Sequence, residues 1–150
     1  MVDIQIRPYR TGDAERITDI IQRCLVAVNY RDYPPQIIGK LRAYYSVGRF
    51  TEISNSRRIY VAETDRVLGT VSREGNKVYT MFVDPNYFGN GIGRQLMEYV
   101  ERLAAEEGYN NMETGASIAA HDFYIRLGYS DLRESEADFG LIYIMRKPLR

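Results

Sequence analysis

A chain of 150 residues with 20 basic and 20 acidic side chains, one cysteine and no tryptophan has the make-up of an ordinary globular domain, which excludes collagen-like, disordered and disulfide-stapled classes. Zero formal net charge offers no bulk positive field to a nucleic acid, and no apolar run approaches the roughly 20 residues that cross a bilayer, so neither partner is expected. One domain over residues 1–150 is expected; Cys24 has no partner for an internal bridge and Met1 to Arg10 lack an apolar secretion signal, which suits a reducing cytoplasm.

Ile4 and Ile6 alternate with polar neighbours and predict a short first strand before Pro8. Ile17, Ile20, Ile21, Cys24, Leu25 and Val28 then fall on one stripe of an amphipathic helix, with Thr11 and Asp13 as start signals and Cys24 on the buried face. Tandem Pro34 and Pro35 open a second helix running through Ile37 and Leu41 to Tyr44, and the polar stretch from Ser46 to Arg57 reads as a loop. Runs at Arg58 to Glu63, Val67 to Arg73 and Val78 to Asp84, separated by turn residues, predict an antiparallel meander.

After a turn at Asp84, Pro85 and Asn86, the spacing of Ile92, Leu96, Val100 and Leu103 predicts a long helix that ends at Gly108. A strand near Asn111 to Thr114, a helix from Ile118 to Leu127 capped by Ser117, and strands at Tyr129 to Arg133 and Leu141 to Arg146 complete the chain. The order βααβββαβαββ is an α+β fold: a mixed, mostly antiparallel sheet of about seven strands flanked by about four helices. The strand, helix, strand sequence around Gly91 requires a parallel pair within it.

The segment Phe88, Gly89, Asn90, Gly91, Ile92, Gly93, Arg94 joins a strand to the long helix. Glycines there let successive backbone N–H groups converge beside a helix N-terminus, which suits a phosphate, and Arg94 adds a charge; a capped flexible turn is the plainer alternative. A dinucleotide fingerprint fits less well. Glu113 lies twenty residues beyond Gly93, where a ribose-binding acid belongs, but Arg94 stands where the third glycine is needed.

The run from Tyr79 to Arg94, with Met81-Phe82-Val83-Asp84-Pro85 leading into Gly89-Asn90-Gly91-Ile92-Gly93-Arg94, resembles the acetyl-CoA motif of the GNAT superfamily of N-acetyltransferases. Ser117, Ala120, Phe123-Tyr124 and Gly128-Tyr129 resemble the downstream motif of that family. The resemblance implies the layered acyl-CoA N-acyltransferase fold, acetyl-CoA as cofactor and an amine acceptor on a small molecule or protein; it leaves a homodimer open. It implies that Met81 and Val83 pair with the pantetheine arm and that Gly89, Asn90, Gly91, Ile92, Gly93 and Arg94 surround the pyrophosphate. Tyr124 then protonates the departing thiolate and Arg126 reaches the ribose phosphate. Ser117 stands where many members have Asn, and Phe88 where Gln or Arg is usual.

Direct attack requires a neutral amine, and a lysine-like amine of pKa ~10.4 is only about 0.04% neutral at pH 7. Glu113 is the candidate base, with a solvated strand carboxylate as the alternative; Lys77 stands where some relatives carry a glutamate, and His121 is a further candidate. A strand N–H near Phe82 is expected to polarise the thioester oxygen. Tyr30 and Tyr33, in the break between the first two helices, are candidate acceptor-binding residues, and the same loop also reads as plain surface. A non-catalytic acyl-CoA sensor and a nucleotide-binding oxidoreductase are the rival functions.

Overall fold

The computed structural model describes residues 3–137 and 139–149. Its strands are β1 (Gln5–Pro8), β2 (Arg58–Glu63), β3 (Val67–Glu74), β4 (Lys77–Val83), β5 (Asn111–Ala116), β6 (Ser130–Ala137) and β7 (Gly140–Pro148). Its helices are α1 (Ala14–Ala27), α2 (Pro35–Tyr44), α3 (Val47–Ile53), α4 (Ile92–Glu106) and α5 (His121–Arg126). The strands form one sheet in the order β1-β2-β3-β4-β5-β7-β6, and β4 with β5 is its parallel pair. That is the seven-stranded mixed sheet expected from the sequence, with α4 as the crossover that a parallel pair needs.

Strand alternation divides the core between the two faces of the sheet. Ile59 and Val61 of β2 join the α1 stripe of Ile17, Ile20, Ile21, Cys24 and Leu25. Tyr60 and Ala62 point the other way and join Leu96, Met97 and Val100 of α4. Each helix therefore buries its apolar stripe against the residues of one strand parity.

Three expectations need correction. The stretch read as a loop after Ser46 contains α3, making five helices rather than four: the Ser46 hydroxyl caps it by accepting from the Arg49 N–H at 3.2 Å, and Phe50 is wholly buried, edge-on to Tyr9. Its polar composition concealed two anchors, Phe50 and Ile53, at helical spacing. Ser117 caps no helix: residues 117–120 form a turn in which the Ala120 N–H donates to the Ser117 carbonyl, and α5 starts only at His121. The last strands also run further, because β6 and β7 pair along their length up to Ala137↔Gly140, where Gly140 supplies a left-handed φ of 89°.

Candidate active site

Strands β4 and β5 pair at only two positions, Lys77↔Glu113 and Val78↔Thr114, and then part. The cause lies in β4. Its register with β3 jumps from Ser72↔Tyr79 to Thr70↔Phe82, so Thr80 and Met81 together oppose Val71, and Thr80 takes a φ of 51°. A β-branched residue in the left-handed region is strained, and the bulge turns the rest of β4 away from β5.

The Asp84 N–H donates to the Leu68 carbonyl of β3 at 2.8 Å. Because backbone groups alternate along a strand, the N–H of Phe82 also faces β3, opposite its partner Thr70, while those of Met81 and Val83 face the opening. The N–H groups near Phe82 that face the opening are thus those of Met81 and Val83 and not its own, and the Phe82 ring packs on the α1 side, 5.8 Å from that of Tyr45.

The Val83 carbonyl accepts from the Cys24 thiol at 3.1 Å. Burial pushes that thiol up to about 12, so Cys24 is a structural side chain and not a nucleophile. A thiol reagent at pH 8 is expected to modify folded protein about a thousandfold more slowly than unfolded protein, since reactivity follows the thiolate fraction. Equal rates would show that Cys24 is exposed and ionisable.

Tyr124 lies behind the point where the strands part. Its ring packs edge-on to Phe123 and Tyr129 in the α4 core, and its hydroxyl is in reach of Thr114, the last β5 residue paired with β4. Burial pushes the phenol up to about 12, so it keeps its proton throughout the physiological range.

The glycine loop sits at the far end of β4. Gly89 and Gly91 have φ of 85° and 75°, and a Cβ built on either meets nothing within 4 Å. Asn90 fixes the turn by donating to the Tyr87 carbonyl at 2.9 Å. Gly91 caps α4, and the N–H groups of Ile92, Gly93 and Arg94 begin the helix without intrahelical acceptors. Gly93 serves a different need: a Cβ there would stand 3.0 Å from Met81 and Phe123, so its small size lets α4 close onto β4 and α5. Arg94 and Arg126 are exposed and make no ion pair among the described residues. Ser117 is half-buried in the turn that follows the open end of β5.

Three further candidates, Glu113, Tyr33 and His121, are engaged elsewhere. The Glu113 carboxylate accepts from Arg146 at 2.7 and 3.2 Å, and it sits level with Lys77, three residues or ~10 Å short of the bulge. Tyr33 is buried, its hydroxyl donating to the Leu141 carbonyl at 2.7 Å and accepting from the Ile118 N–H at 3.1 Å, so it clamps the turn after α1 to β7 and to the turn after β5. Tyr30 stands in solvent with the Arg31 guanidinium over its ring, and His121 is held by Asp131 at 2.8 Å.

Asp84 carries the electrostatics of the site, a role that its place at the end of a strand, in a turn and in the family motif does not disclose. Its fully buried carboxylate accepts from Arg16 at 2.7 Å, from Arg23 at 2.8 and 2.9 Å, and from the Asn86 N–H at 3.0 Å. The Arg23 guanidinium holds that carboxyl well below the usual carboxylate range. Its partners stand 61 and 68 residues away, a pairing that no local pattern discloses.

Residues 55–131 match the family model described as an acetyltransferase (GNAT) domain. The chain is 27% identical to the uncharacterized N-acetyltransferase YafP of Escherichia coli, over 99% of both proteins. Its fold is similar to that of a GCN5-related N-acetyltransferase from Rhodopseudomonas palustris, with TM-score 0.91 and 21% identity over 99% of this chain and 97% of that one. It is also similar to the PaiA N-acetyltransferase of Thermoplasma acidophilum solved in complex with coenzyme A, with TM-score 0.79 and 19% identity over 98% and 99% of the two chains. An extended thioester cofactor with a diphosphate fits the residues present: two outward strand N–H groups, a clear cradle at Gly89 and Gly91, and a helix start. Among the described residues no helix is long and apolar enough to cross a membrane.

Proposed function

The chain belongs to the GNAT acetyltransferase family and is an acetyl-CoA-dependent acetyltransferase, and from that premise we propose that it acetylates a primary amine by direct attack within a ternary complex. The observation that carries this reading is the parting of β4 from β5 beyond Val78, with the glycine cradle at its mouth and Tyr124 at its apex. Bound acetyl-CoA supplies the acyl group as a thioester.

In this reading the Met81 and Val83 backbone groups hold the extended arm as a strand would, and an outward N–H of this pair polarises the thioester oxygen where negative charge develops. Gly89, Asn90, Gly91, Ile92, Gly93 and Arg94 hold the diphosphate, with Arg126 beside the ribose phosphate and Ser117 at the pantetheine. Tyr124 donates a hydrogen bond to the leaving sulfur. A phenol at about 12 holds its proton more tightly than a thiol of pKa ~8.5, so its contribution is that hydrogen bond rather than full proton transfer. Because Glu113 is occupied by Arg146 and set back from the bulge, the amine proton leaves through water on the α1 face.

Thiol release from acetyl-CoA with a panel of amines tests the activity, and Tyr124→Phe tests the mechanism. The variant is expected to lower kcat by roughly 10-fold or more with the CoA dissociation constant within about 2-fold. The wild-type kcat is expected to show no descending limb from this tyrosine below about pH 11. An unchanged kcat in Tyr124→Phe removes it from the chemistry.

A further inference from the structure

The face of the sheet opposite α4 carries a cation that the reaction above leaves without a task. Arg57, just before β2, lays its guanidinium 4.1 Å above the Tyr79 ring and donates through Nη1 to the Thr80 hydroxyl at 3.3 Å. Tyr79 is the first β4 residue past the last pair with β5, and Thr80 is the bulge itself. The neighbouring arginines, Arg58 and Arg73, are paired with the Glu107 carboxylate. Arg57 makes no ion pair among the described residues. A guanidinium that lies over an aromatic ring and is tied at Nη1 to Thr80 is fixed in place and keeps its remaining N–H groups for a planar carboxylate.

The surroundings specify the rest of the ligand. Beyond the bulge the same face carries Phe82, with Tyr45 packed against it. Across the opening lie exposed Gly115 and half-buried Ile142 and Ile144; a Cβ on Gly115 would stand 3.0 Å from Ile142, so the floor there stays low. Apolar walls next to a single fixed cation suit a small molecule with an apolar side group and one negative charge. They suit a polyamine poorly, because a second ammonium would meet Arg57 as a like charge.

We propose that Arg57 is the acceptor-recognition residue and that the acceptor is an α-amino acid with an apolar side chain, its carboxylate on Arg57 and its amine directed at the opening beside Met81. The proposal rests on the reading of the parted strands as the acetyl-CoA site. Thr80, which the Arg57 guanidinium touches, is the chain neighbour of Met81, and an α-amino acid carries its amine nitrogen about 2.5 Å from its carboxyl carbon, so a carboxylate on Arg57 leaves the amine within about one residue of Met81.

Matched acceptor pairs that differ by one carboxylate provide the test: phenylalanine with phenethylamine, tyrosine with tyramine, leucine with isopentylamine. The amino acid of at least one pair is expected to exceed its decarboxylated partner by about 10-fold or more in kcat/KM, with the difference in KM. Arg57→Gln is expected to erase that preference, and Arg57→Lys to restore part of it. Calorimetry with CoA alone separates the two levels: wild-type protein that binds no CoA overturns the reading of the opening. Normal CoA binding with no pair favouring its carboxylate, or a preference that survives in Arg57→Gln, overturns the role of Arg57 and leaves that reading standing.

Discussion

Gly91→Asp is expected to weaken CoA binding by roughly 30-fold or more while leaving the melting temperature of the free protein nearly unchanged. Gly91 caps α4 with a φ of 75°, and the space before it is open, so a side chain there meets no neighbour. Asp tolerates a left-handed backbone better than most residues, and its carboxylate would accept from the unpartnered N–H groups at the start of α4. Those are the donors the diphosphate needs. One like charge at ~4 Å is worth about 4 kcal/mol at an effective dielectric of ~20, and halving this for an exposed loop leaves about 2 kcal/mol, hence the 30-fold figure. Gly91→Asn has the same shape without the charge and is expected to lose less than about 5-fold; the gap between the two variants narrows as salt is added. Calorimetric titration with CoA checks both, and undiminished affinity in Gly91→Asp means that the phosphates lie elsewhere.

Asp84→Asn is expected to destabilise the fold by about 3–5 kcal/mol, because it leaves Arg16 and Arg23 facing a buried neutral amide. For a chain of this length each kcal/mol moves the melting temperature by about 2–4 °C, so a drop of roughly 6–20 °C is expected at pH 7. The pH dependence has a definite sign. The folded carboxyl is held far below the ordinary value of ~3.9 by Arg23, so its contribution is complete above the unfolded pKa and declines as pH falls through and below it. The difference between wild type and Asp84→Asn is therefore expected to shrink steadily from about pH 5 toward pH 2, in thermal melts followed by circular dichroism. A variant that melts within about 2 °C of wild type at pH 7 would show that the two arginines find other partners without loss. Asp84 also starts the turn that leads into the glycine loop, so CoA affinity is expected to fall along with stability.

Much of the fold was legible because the helices and strands that bury most are the most periodic. The stripe from Ile17 to Leu25 and the spacing of Ile92, Leu96 and Val100 gave α1 and α4 directly, since an apolar residue every 3–4 positions has one stable use in water. The helix α3 was hidden because its burial rests on Phe50 and Ile53 alone and it is only seven residues long, within the mostly polar segment from Ser46 to Arg57. Ser117 misled for a related reason: a serine before a helical pattern is a cap only where the backbone turns at that residue, and here the turn lasts until Ala120.

At the site the division is sharper. The glycines at 89 and 91, the helix behind them and the tyrosine at 124 are properties of local chain chemistry and were readable from residue type and spacing. Tertiary structure alone supplied the cause of the outward strand groups that the family resemblance implies at Met81 and Val83: one extra residue at Thr80 changes the parity of everything after it and turns Phe82 inward. It likewise decided that Glu113 answers to Arg146, that Tyr33 is a clamp, and that Arg57 stands unpaired over Tyr79 among the described residues. A carboxylate, a phenol or a guanidinium takes its role from the charge and water around it, and residues tens of positions away supply both.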